Sequence, residues 1–167
     1  MKSLCAAAML LLSLPVIIQA APALAPASEQ ADAIRVAKGA RKMELLRGGR
    51  VLRTYHVALG GEPMGHKRQQ GDQRTPECDY TITYRNAQSR FHLSLRVSYP
   101  NAVDRAQAAK RGVDPGGDIM IHGGTLHGST PPGYAGDWTD GCVAVTNAEI
   151  EEIWRLVPVG TPIHIGP

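Results

Sequence analysis

Two residues of this chain have the type and the surroundings to act as a nucleophile and its base. His122 closes a short apolar run, Ile119, Met120 and Ile121, and is followed by Gly123 and Gly124. Cys142 opens a second run, Val143, Ala144 and Val145, behind Thr139, Asp140 and Gly141. The Gly-, Pro-, Ser- and Thr-rich stretch between them reads as a loop. A strand therefore delivers an imidazole, a loop turns back, and a second strand opens on a sulfur. Such a pair is a candidate thiol nucleophile with its general base. A thiol attacks as the thiolate, so it needs that base or a lowered pKa. A neutral imidazole can face the thiol with one nitrogen while the other donates to a backbone carbonyl that fixes the tautomer. Gly141 supplies the backbone freedom that a turn into a nucleophile requires. The N–H groups of Gly141, Cys142 and Asp140 are candidate donors to the oxygen of a tetrahedral intermediate, at about 3 kcal/mol per donor.

Two neighbours leave alternatives open. The Asp140 carboxylate tends to raise the pKa of an adjacent thiol. It either binds an amine of the substrate or hydrogen-bonds to nearby N–H groups. His127 would complete a His122, His127 and Cys142 set for zinc, but a fourth ligand is not apparent and no metal is assigned.

The region from Asp118 to Val145 resembles the catalytic motif of the L,D-transpeptidases (YkuD-type domains), bacterial enzymes that remodel peptidoglycan. That motif runs His, two residues, a spacer, then Ser or Thr, His, Gly and Cys. Here His122, Gly123 and Gly124 are followed by fourteen residues, 125–138, and then by Thr139, Asp140, Gly141 and Cys142. Asp140 stands where most of the family has His, and a branch ending in Asp-Gly-Cys matches better. That branch also matches at Ser98-Tyr99-Pro100-Asn101 and Pro115-Gly116-Gly117-Asp118, and the resemblance covers roughly residues 33–165.

The resemblance implies a mainly β fold with short helices, a β-sandwich or mixed sheet with a capping helix. It implies Cys142 as nucleophile, His122 as base and the Gly123 carbonyl as the group that orients the base. The donor would be a peptidoglycan tetrapeptide stem. Cys142 attacks the carbonyl of its third residue, usually a diaminopimelate, and expels the terminal D-Ala. An amine then resolves the thioester, giving a cross-link or an attached wall protein. The alternative acceptor is water, which makes the enzyme an L,D-carboxypeptidase or an amidase that releases a wall-linked lipoprotein. Neither route needs a cofactor. A non-catalytic wall-binding protein is the reading of a different class. Tyr99, Arg74 and Asp140 are candidate substrate contacts, with packing the alternative for Tyr99. The segment 71–77 also resembles a family segment and is expected to support the site.

Composition sets the frame. The chain has 167 residues, enough for one domain with a core. A net charge of +3 and 5% aromatic residues give no footprint for nucleic acid. Residues 1–25 carry Lys2, an apolar run over 4–18 and a small-residue end. This reads as a secretory signal peptide, too short for a comfortable span, so a periplasmic protein without a stable membrane span is expected. Residues 26–32 are expected as a mobile leader and 33–167 as the catalytic domain. Cys78 and Cys142 remain after the signal, and Cys78 reads as an incidental free thiol.

Positioning elements follow from local pattern. Strands are predicted over 34–37, 41–46, 51–59, 80–84, 92–97, 119–121, 143–145 and 161–165, with Gly48 and Gly49 as a hairpin turn. Phe91, Leu93, Leu95 and Val97 are expected on one face. Asn101 and Gly112 bracket a predicted helix over 102–111. Thr146 and Glu149 form a capping-box pattern before a second helix. Ile150, Ile153, Trp154 and Val157 make its apolar face, so Trp154 is expected in the core. The 60–76 loop is expected to be solvated at His66, Lys67 and Arg68.

Overall fold

The computed structural model describes residues 20–124 and 136–167. The chain is mainly β: β1 (Ala33–Ala37), β2 (Lys42–Arg47), β3 (Arg50–His56), β4 (Cys78–Ser89), β5 (His92–Val97), β6 (Met120–His122), β7 (Val143–Ala144) and β8 (Pro162–Gly166). Two helices accompany them, α1 (Ala102–Arg111) and α2 (Asn147–Leu156). The strands form one eight-stranded sheet in the order β3-β2-β1-β8-β4-β5-β6-β7. Pairing is antiparallel except at β1 with β8 and β6 with β7.

The sheet curls until its ends meet. The amide of Ala58 donates to the Ala144 carbonyl at 3.0 Å, and the amide of Ala144 donates back to Ala58 at 2.8 Å. A second bridge joins Gly60 to Thr139. The continuation of β3 is thus the outer neighbour of β7, which satisfies backbone groups that an edge strand would leave open. The inside of the curl is filled by Ile34, Met43, Leu45, Ile82, Leu95, Ile121 and Val143, with Ile150 and Ile153 of α2. Among the described residues, no helix is long and apolar enough to cross a membrane.

Local chemistry explains the helices. Asn101 accepts from the amides of Val103 and Asp104, and Asp104 bonds back to the Asn101 amide, so α1 begins with a capping box. Gly112 ends it at φ 67°, where glycine carries no steric cost. Thr146 and Glu149 cap α2 in the same way. Trp154 is buried as expected, and its indole N–H donates to the Pro22 carbonyl at 2.8 Å.

Three expectations change. The segment expected as a mobile leader is seated on α2: the Ala31 amide donates to Leu156 and Ala31 is buried, and just before it Ala25, the last residue of the expected signal peptide, donates to Arg155 and is buried too. Residues 1–19, most of the expected signal peptide, lie outside the described residues. The 60–76 loop is not a solvated tail of charges. Lys67 is 4% exposed and bonds to the Asp72 carboxylate and the Gln69 carbonyl. The His66 ring accepts from the Glu77 amide through Nδ1 and pairs with Asp104 through Nε2. Only Arg68 faces solvent as expected. Finally, Phe91 sits in the β4–β5 turn rather than on the strand, while Leu93, Leu95 and Val97 share the buried face.

Candidate active site

His122 and Cys142 come together because β6 and β7 are parallel neighbours. His122 is paired with Ala144, and Ile121 with Val143. Side chains two apart on a strand share a face, so Cys142, two residues before Ala144, projects on the face of His122. Both line one cleft of about 560 Å³ with Arg90, Phe91, Asp118, Met120, Trp138 and Asp140.

His122, the candidate base, is held from three sides. Its Nδ1 lies 2.6 Å from the carbonyl oxygen of Gly123, so Nδ1 carries the proton and donates. That leaves Nε2 as an acceptor for a proton from the cleft. Phe91 stacks on the ring at 4.4 Å and Trp138 meets it edge-on at 5.8 Å. Gly123 is itself fixed. A Cβ there would fall 2.7 Å from the Asn147 side-chain oxygen and 2.8 Å from the Phe91 carbonyl. Burial holds the His122 pKa below its ordinary value, against the bond to Gly123, and Arg90 adds to the depression.

Cys142, the candidate nucleophile, leaves a tight turn. Thr139 Oγ1 donates to the Cys142 carbonyl at 2.8 Å and accepts from the Gly141 amide at 3.1 Å. Gly141 has φ 126°, and a Cβ on it would lie 2.5 Å from the Arg74 carbonyl. Both the backbone angle and the space require glycine here. Burial pushes the Cys142 thiol above its ordinary pKa, and the Asp140 and Asp118 carboxylates push the same way. Hydrogen bonding at Met120 and the Lys67 charge oppose them. The resting pair is therefore a neutral thiol and a neutral imidazole.

The structure sorts the remaining sequence expectations. Asp140 is exposed and lines the cleft. Tyr99 does not line it: the ring is buried and its hydroxyl donates to the Pro115 carbonyl. Arg74 contributes its backbone carbonyl behind Gly141 rather than a side chain in the cleft. Gly141 cannot serve as a free oxyanion donor in this state, because its amide is taken by Thr139. The amides of Cys142 and Asp140 remain as candidates. Both Cys78 and Cys142 are free thiols. His127 lies outside the described residues.

Sequence reasoning missed Phe91, Trp138, Arg90 and Asn147 as parts of the site. Phe91 read as one more apolar residue in an alternating run. Asn147 looked like a first-turn helix residue, yet its side chain accepts from the Gly124 amide at 2.9 Å. Lys38 was not singled out at all. It is 2% exposed and gives its three protons to the Gly65 carbonyl, the Thr75 carbonyl and Glu77. It ties the loop that carries Arg74 to the end of β1, and so braces the turn at Gly141 from behind.

Comparison with known proteins identifies the fold and the family. YafK of Escherichia coli K12, whose designation as an L,D-transpeptidase is provisional, is 29% identical over 109 residues, 64% of this chain and 37% of its own. The helical cell shape determining protein Pgp2 of Campylobacter jejuni superposes with a TM-score of 0.60 at 22% identity, covering 81% of this chain and 47% of Pgp2. Bd1075 of Bdellovibrio bacteriovorus gives a TM-score of 0.57 at 25% identity, over 88% of this chain and 51% of Bd1075. The chain thus spans about half or less of the length of these relatives. The YkuD model, the L,D-transpeptidase catalytic domain, matches residues 31–165, the whole of the curled sheet, and the chain belongs to that family.

Proposed function

We propose that this protein is an exported cysteine transpeptidase that acts on peptidoglycan stem peptides. The Cys142 thiol gives its proton to His122 Nε2, and the sulfur adds to the carbonyl of the third stem residue. The amides of Cys142 and Asp140 stabilise the resulting oxyanion. His122 returns the proton to the departing D-amino acid, and a thioester remains on Cys142. An amine of a second stem, or of a wall protein, then takes the acyl group and regenerates the thiol. The observation that carries this reading is the parallel pairing of β6 with β7, with Nδ1 of His122 already committed to the Gly123 carbonyl. A general base must reach its proton with the correct tautomer, and this arrangement provides that tautomer before substrate arrives.

The test is incubation of the purified protein with sacculi, followed by mass analysis of the released muropeptides. New dimers and exchanged stem termini are expected, and Cys142→Ala should abolish both, by on the order of 10⁴-fold or more in rate. If only shortened stems or released lipoprotein appear, water rather than an amine is the acceptor. If Cys142→Ala behaves as the unsubstituted protein does, the thiol mechanism is wrong.

A further inference from the structure

The cleft is electrically lopsided. The Asp118 and Asp140 carboxylates bear on Cys142, and Arg90, in the β4–β5 turn, bears on His122; all three line the cleft. Arg90 is the one cation among the described residues that line the cleft. The other cations nearby are committed, Arg96 to Asp118 at 3.1 Å and Lys67 to Asp72 at 2.8 Å. Among the described residues Arg90 has no carboxylate partner; its guanidinium carbon rests 5.0 Å from the centre of the Phe91 ring. Its mount is braced. The Phe91 amide donates to the Ser89 hydroxyl, and His92 pairs with Glu151 of α2 at 2.7 Å. Phe91 in turn stacks on His122.

The order Arg90, Phe91, His122 has a chemical meaning. His122 must hand a proton to the leaving nitrogen, so the leaving residue lies against His122 and its neighbours. In a terminal amino acid the carboxylate carbon is two bonds from that nitrogen, about 2.5 Å away. A guanidinium that has no carboxylate partner among the described residues, resting on the ring that stacks on the imidazole, suits such an anion, and a guanidinium fork matches a carboxylate in two parallel bonds. We propose that Arg90 binds the free C-terminal carboxylate of the residue that is expelled. The enzyme then acts on the last peptide bond of a stem and rejects internal amides. This rests on the thioester mechanism above and specifies which bond it breaks.

A pair of synthetic stem tetrapeptides tests it, one ending in a free carboxylate and one in a carboxamide. The terminal amino-acid amide has the less basic nitrogen and is intrinsically the better leaving group, so chemistry alone favours the amide peptide. The unsubstituted protein is nevertheless expected to prefer the free acid in kcat/KM by about 10- to 100-fold, the range for a hydrogen bond to a charged group. Arg90→Gln should bring the ratio to one or below through KM for the acid, and Arg90→Lys should keep part of the preference. A merely structural Arg90, acting through Phe91 and His122, would change both peptides equally and shift their pH profiles together. Equal use of the two peptides by the unsubstituted protein, or a preference that survives Arg90→Gln, overturns the inference. If neither peptide is turned over, the transpeptidase reading fails by that result. Calorimetric binding of both peptides to Cys142→Ala, with and without Arg90→Gln, then decides the Arg90 inference alone. Tighter binding of the acid that depends on Arg90 supports it, and equal binding defeats it.

Discussion

The two halves of the site are built by different means. On the base side, His122 is clamped by side chains: Phe91 against its face, Trp138 at its edge, and Asn147 and Ile150 of α2 beneath Gly123. On the nucleophile side, Cys142 is held through the backbone of its turn, which one hydroxyl ties together. Thr139 bonds to both arms of the turn, and the Arg74 carbonyl closes on Gly141. That backbone is braced in turn by a loop pinned to a buried ammonium, Lys38. The base needs a defined environment because its pKa and tautomer decide whether it can accept a proton. The nucleophile needs a defined position because its oxyanion donors are amides, which cannot move independently of the turn.

Four substitutions test this contrast. The largest effect is expected from Gly141→Ala, which removes no functional group. It forces a side chain onto a positive φ and into the Arg74 carbonyl, at about 1–3 kcal/mol of local strain. The turn must shift, and activity should fall by on the order of 100-fold with little change in the far-ultraviolet spectrum. Retention of full activity would show that the turn tolerates displacement.

Lys38→Met comes next. It leaves the buried Thr75 carbonyl, the Gly65 carbonyl and Glu77 without their donor, which should lower stability by about 1–3 kcal/mol in urea unfolding. Faster amide exchange within 60–77 than in α2 would place the loss in the loop, as the contrast requires.

Phe91→Ala should act on the base side alone. It opens the imidazole to water and removes a ring contact of about 0.5–1.5 kcal/mol. Burial is the main reason His122 titrates below its usual range, so exposure raises its pKa. Protonated His122 cannot accept the thiol proton, and the acid limb of kcat/KM should therefore move to higher pH. A limb that stays in place would assign it to a different group.

The smallest effect is expected from Asp140→Asn. The Asp140 carboxylate raises the thiol pKa, second to burial among the groups that do so. Its removal lowers that pKa, and alkylation of Cys142 by iodoacetamide should rise at lower pH than in the unsubstituted protein. A shift the other way would mean that Asp140 stabilises the thiolate.

Local patterns were legible where neighbours along the chain decide the outcome. The predicted cap at Asn101 and capping box at Thr146 both stand, and Asn101 also forms a box with Asp104 that the pattern had not shown, because the bonds they make span at most three residues. The Gly48-Gly49 turn has both residues at positive φ, as a two-residue hairpin demands. His122 and Cys142 were legible as a pair from strand, loop and turn chemistry. The reading failed at charges. His66 and Lys67 look like a solvated run in the sequence, yet one pairs with Asp104 of α1 and the other is buried on Asp72. Charge in a polar loop carries no sign of the partner that will fold over it.

The sequence by itself determined the elements, their caps, the His122 and Cys142 candidates and the glycines around them, because each follows from covalent preference and short-range bonding. The tertiary structure decided what those side chains meet. The closure of the sheet through Ala58 and Ala144 and the stacking of Phe91 on His122 join residues far apart in the chain. Such contacts exist only after the core has been buried, since it is the packing of the curl that fixes which distant surfaces are left facing one another.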